Sequence, residues 1–218
     1  MDIVAALVLL GALQLLQTVL LLTGRTGHAD RFSVEVLRFF PTVLTAYAVL
    51  LLAWRHGMRF RDLGFVRPRS WRPTVYAWAM AVLAGPGYAA VMTLLGRPVA
   101  GFAPGMLFPT TVSGGVQLSS AFAIVMLLIV VLAPVVEELI FRGLVFQGVR
   151  IRWPLVPAVL LVGLLFAAFH LDGPHFAPLF VVSAAFAYAY ERGGSLWCSI
   201  VPHAGLNALW VAVAIFGK

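Results

Sequence analysis

Two adjacent carboxylates, Glu137 and Glu138, stand in the apolar stretch Ala133-Pro134-Val135-Val136-Glu137-Glu138-Leu139-Ile140-Phe141-Arg142. A charge in such a setting is costly, so each one calls for a partner or a task. Further along, Phe166 and His170 lie four residues apart in one apolar run, and His203 and Asn207 lie four apart in another. On a helix each pair shares a face. Glu138 and Arg142 have the same spacing with the acid first, the favourable order for a helical ion pair. Glu137, turned by about 100° from its neighbour, is free to face a different cavity. A glutamate beside a histidine in a wet cavity is suited to activating water, while a histidine and an asparagine opposite can donate hydrogen bonds to a developing oxyanion. Hydrolysis of a peptide bond needs those two functions.

The elements that must position these groups are membrane helices. Of 218 residues, 62% are hydrophobic and only 11% charged, far from the roughly 45–50% apolar of a soluble domain. That balance excludes disorder and a coiled coil, and the single Cys198 excludes a disulfide scaffold and reads as a small buried hydrophobe. The net charge of +7 does not point to nucleic acid, because the arginines flank apolar runs and form no aromatic-interleaved stripe on a polar face.

The expected fold is all-α, a polytopic transmembrane bundle of about seven spans forming one integral membrane domain over 1–218, with the motif-bearing core at about 118–216. Spans are predicted at Ile3 to Leu22, retained and not cleaved as a signal peptide, then at about Val36 to Trp54 and Thr74 to Leu95, the last kinked by Gly85-Pro86-Gly87. A longer one covers about Leu118 to Val149, followed by Pro154 to Leu171, Phe176 to Tyr190 and Leu196 to Phe216. Between Arg55 and Arg72 six arginines face one acid, Asp62, so this loop and the Arg150-Ile151-Arg152 turn are expected in the cytoplasm, as is the amino terminus. The proline- and glycine-rich stretch 96–116, with the single Arg97, is expected outside. Counted inward from the cytoplasmic turns at about 1.5 Å per residue, Glu137, His170, His203 and Asn207 fall about 15–24 Å deep on three helices, where they can meet.

His-Glu-x-x-His, Gly-x-Gly-Asp and Gly-x-Ser-Gly are all missing from the chain, which disfavours three other designs of intramembrane protease. The ordered trio Glu137-Glu138-x-x-x-Arg142, Phe166-x-x-x-His170 and His203-x-x-x-Asn207 instead resembles the three motifs of the CPBP family, also called the Abi or CAAX-protease family. Its members include type II CAAX prenyl endopeptidases and proteins linked to bacteriocin immunity. Asp62-Leu63-Gly64-Phe65 also resembles a family feature. The resemblance implies an intramembrane endopeptidase in which Glu137 and His170 activate water and His203 and Asn207 form the oxyanion site, with Glu138, Arg142 and Phe166 in support. It also implies a membrane or lipid-anchored peptide as substrate and the cell membrane as location. A metal-free mechanism and a zinc site on Glu137, His170 and His203 both stay open. So do two other classes of function, a transporter or proton relay built on the same groups and a non-catalytic scaffold or immunity-type protein.

Overall fold

The computed structural model describes residues 43–51, 53–97 and 120–216, besides the isolated Ala12. Among them are helices and turns and no strand, so the expected all-α class holds. In chain order the helices are α1 (Val43–Arg55), α2 (Arg72–Leu94), a long α3 over 120–150, α4 (Leu155–Phe169), α5 (Phe176–Gly193) and α6 (Trp197–Phe216).

Proline opens α2, where Pro73 occupies the first turn and its missing N–H costs nothing. Pro86 lies inside the same helix. The predicted single helix from Leu118 to Val149 is segmented. Leu128–Leu132 and Leu139–Phe146 are π-helical, separated and flanked by the α-helical segments Ser120–Leu127, Ala133–Glu138 and Gln147–Arg150. All eight residues of Leu139–Phe146 are buried, as expected of a helix that neighbours surround on every side. Apolar residues of α1, α3 and α4, among them Val49, Ile140, Phe146 and Val162, form one core cluster with Leu196. Ala77, Ala81, Ala185, Phe186, Ala189 and Leu206 form a second between α2, α5 and α6. The small residues of α5 let α2 and α4 pack on it closely, the usual device where helices must approach without a hydrophobic driving force.

Two helix ends differ from those predicted. The fifth predicted span reached Leu171, but α4 stops at Phe169, with His170 as its cap and Leu171 at φ 52°. A β-carbon in the left-handed region strains the backbone by about 1–2 kcal/mol, and it turns the chain sharply after His170. The sixth was predicted to end at Tyr190, yet α5 continues to Gly193 until Gly194, at φ 67°, returns its N–H to the Tyr190 carbonyl. Glycine takes that conformation freely.

The arginine-rich loop is tied to the motif core. Leu63 is buried, the Leu196 N–H donates to the Gly64 carbonyl at 2.9 Å, and the Arg69 N–H donates to the Gly193 carbonyl at 2.8 Å. Gly64 adopts φ 96°, and a β-carbon there would sit 3.1 Å from Leu196 Cγ and 3.2 Å from Tyr190. Gly64→Ala should therefore lower the unfolding midpoint in detergent, by about 1–3 kcal/mol of stability from strain and crowding together. A midpoint equal to that of the wild type would show that this docking contributes nothing.

One described helix, α2, is long and apolar enough to cross a membrane, and α1, α4 and the Trp197–Val213 part of α6 are shorter apolar helices. Val75, Tyr76, Met80 and Leu83 of α2 are all exposed, an apolar outer face suited to lipid. The predicted first span and the segment 98–116 lie outside the described residues.

Candidate active site

The π-helical part of α3, the end of α4, the middle of α5 and the amino-terminal half of α6 converge on Arg142. Its guanidinium is fully buried and lies 3.0 Å from Glu138 Oε1 through Nη1, while Nη2 donates to the carbonyl and the hydroxyl of Ser183 at 2.7 and 2.8 Å. The Phe166 ring lies 5.2 Å from its central carbon and the Phe186 ring 5.8 Å, distances at which a desolvated cation is attracted to a π face. The planar fork suits a site that asks for several donors in one plane. The expected pairing of Glu138 with Arg142 is therefore present and dry.

Glu138 has a second partner. The Nδ1–H of His203 donates to the same Oε1 at 2.8 Å, which sets the ring's orientation and leaves Nε2 on the other side. That Nε2 is 3.8 Å from Glu137 Oε2, and the Glu137 side chain is 21% exposed whereas Glu138 is 0%. A gap of 3.8 Å exceeds a direct hydrogen bond and is one that a bridging water or a small rearrangement closes. The adjacent acids thus occupy different environments: one sealed between two cations or potential cations, the other open on one side and next to an imidazole nitrogen.

His170 and Asn207 are reached less directly. The Nδ1–H of His170 donates to the Phe166 carbonyl at 2.8 Å, so the neutral ring carries its lone pair on Nε2. Its ring centroid is 4.4 Å from that of Phe166, which in turn is 6.1 Å from that of His203. Phe166 is the wall between the two histidines. Asn207 is one turn beyond His203 on α6, and its Nδ2 donates to the Ile129 carbonyl of α3 at 2.9 Å. Glu137, Glu138, Arg142 and His203 are therefore brought together directly, His170 joins through Phe166, and Asn207 is bound to the helix that carries the glutamates.

Among the described residues no three His, Cys, Asp or Glu side chains are grouped to hold a metal ion. His203 and His170 each use Nδ1 in a hydrogen bond, which fixes the ring and leaves Nε2 as the nitrogen that a proton or a ligand would take.

Residues 119–209, a segment that spans every one of these groups, match the family model described as Type II CAAX prenyl endopeptidase Rce1-like. In this segment the chain is similar to proteases of the CAAX type. The match covers less than half of the chain, and no curated protein and no solved structure matches it. The matched family is one of proteases and of integral membrane proteins.

Within the matched segment, sequence reasoning missed Ser183 and Phe186, which hold Arg142 from α5. The signal was slight: one hydroxyl in Phe180-Val181-Val182-Ser183-Ala184-Ala185-Phe186, three residues before an aromatic on the neighbouring face. Ser183→Ala should lower stability by about 1 kcal/mol, or roughly 2–4 °C in unfolding midpoint, since the carbonyl at the same position still accepts from Nη2. An unchanged midpoint would remove the hydroxyl from the account. Asp172 accepts from the backbone N–H of His175 at 3.2 Å and from its Nδ1 at 2.8 Å, and so shapes the turn that follows His170.

Proposed function

We propose that the chain is an intramembrane endopeptidase whose nucleophile is a water activated by Glu137. The observation that carries this reading is the pairing of Glu137 Oε2 with His203 Nε2 at 3.8 Å, beside a second glutamate whose Oε1 holds the same imidazole and Arg142. Glu137 takes a proton from water as the water oxygen bonds to the scissile carbonyl carbon, with His170 Nε2 as a second acceptor for that water. The oxyanion accepts from Asn207 and from Nε2–H of a protonated His203, whose Nδ1–H stays on Glu138. With His203 protonated, two carboxylates and two cations balance, which a poorly hydrated cavity favours. Collapse breaks the C–N bond, and the proton held on Glu137 passes to the leaving amine. The positioned charges supply the electrostatic part of the rate enhancement.

The substrate in this reading is a membrane or lipid-anchored peptide and not a nucleic acid; the step as written needs no metal, and Glu137, His170 and His203 are the residues that would hold a zinc ion in the alternative. The family description favours a prenylated carboxyl-terminal peptide as the first probe. Purified protein in detergent should release the terminal tripeptide from a farnesylated CAAX peptide faster than from its unlipidated counterpart, read by mass spectrometry. No release from either, together with substrate-coupled proton flux in liposomes, would favour the transporter reading instead.

The same reading places about seven spans in the cell membrane with the amino terminus in the cytoplasm. Cysteines introduced by Phe60→Cys and Gly105→Cys, one at a time in a Cys198→Ala background, should label from opposite sides of sealed vesicles. Labelling of both from one side would overturn the topology.

A further inference from the structure

The amide of Asn207 is held by a backbone carbonyl that a proline leaves open. At the end of the π-helical stretch Leu128–Leu132 the N–H reaches five residues back: that of Ala133 donates to the Leu128 carbonyl. The next bond of that ladder would run from residue 134 to the Ile129 carbonyl. Residue 134 is proline, which has no N–H to give. Ile129 is buried, and a buried carbonyl without a partner is costly, so the vacancy must be filled from outside the helix. Asn207 Nδ2 fills it at 2.9 Å.

We propose that Pro134 is a positioning residue for Asn207: by denying the Ile129 carbonyl its backbone donor, it creates the acceptor that fixes the Asn207 amide one turn from His203. Two features that look like defects in α3, a π turn and an internal proline, together make one side-chain anchor. An asparagine amide carries two N–H groups. One is spent on Ile129, and the anchored amide presents the other without a rotamer search at the moment of reaction, which is the benefit of preorganisation. The functional half of this statement rests on the proposed hydrolase reading; the structural half does not.

The test is a double-mutant cycle on the full chain in detergent, with Pro134→Ala, Asn207→Ala and both. Pro134→Ala restores a backbone N–H for the Ile129 carbonyl. Asn207→Ala alone should lower the unfolding midpoint by several degrees, and should lower it by less than half as much in the Pro134→Ala background, because the carbonyl there has its own donor. Equal losses in the two backgrounds would overturn the proposal. Turnover of the farnesylated CAAX peptide supplies the second readout. Pro134→Ala, which frees the amide, should lose about tenfold or more in kcat with KM within about twofold. An unchanged kcat would equally overturn it. Absence of turnover in the wild type would count against the hydrolase reading, and the midpoints would still decide whether Pro134 and Asn207 are coupled through Ile129.

Discussion

Glu137→Gln is expected to lower kcat by about a thousandfold or more while the protein unfolds within a degree or two of the wild type. The change keeps the side chain's size and one acceptor oxygen but removes the group that accepts a proton from water, and loss of a positioned general base costs about 10²–10⁴ in rate. Stability should hold because Glu137 is partly exposed and its nearest charged partner is 3.8 Å away, so no dry ion pair is broken. In the Glu137→Gln variant a neutral His203 leaves one carboxylate, Glu138, paired with one cation, Arg142, at 3.0 Å. His203 then gains nothing from a second charge, and its Nδ1–H bond to Glu138 persists. Circular dichroism melts and single-turnover cleavage of the same preparation check both halves. A variant that cuts at the wild-type rate would show that Glu137 is not the base.

Arg142→Ala is expected to do the opposite, with unfolding as the main effect. Its removal strands the Glu138 carboxylate, 0% exposed, with His203 as the remaining counter-charge, and leaves the Ser183 hydroxyl and carbonyl without their donor. It also empties the slot between Phe166 and Phe186. Breaking a buried pair by deleting one partner costs about 3–5 kcal/mol, enough to unfold a marginal protein. Arg142→Lys should recover little, since a single ammonium cannot serve Glu138 and both Ser183 acceptors in one plane while lying between two rings. Recovery of the wild-type midpoint by lysine would mean that charge alone, and not the planar fork, holds the site together.

The ion pair of Glu138 with Arg142 was legible because a buried charge at helical spacing from its opposite has few other solutions, and the proximity of Glu137 to an imidazole followed from depth counted along two helices. What could not be read was which atom each histidine would commit. Nδ1 of His203 goes to Glu138, a choice made by rotation of α3 against α6. That rotation depends on the π-helical turns, and a π turn leaves no periodic mark on a uniformly apolar run. The end of α4 was missed for a similar reason: Leu171 takes a left-handed conformation that leucine does not announce, with the nearest turn signal, Gly173-Pro174, two residues later. Gly194, by contrast, lies next to Gly193, and a glycine pair marks a stop without fixing which member caps the helix. The α2 helix emerged where predicted because its apolar run is long and bounded by Arg72 and Arg97.

The central claim is that water, activated by Glu137, is the nucleophile. Its most direct test is cleavage of the farnesylated CAAX peptide in ¹⁸O-labelled water by the wild type and by Glu137→Gln. The account predicts that the wild type yields an amino-terminal product with one ¹⁸O in its new carboxyl group and that the variant yields none above the buffer control. Cleavage by Glu137→Gln at the wild-type rate, or a product without the label, would contradict it.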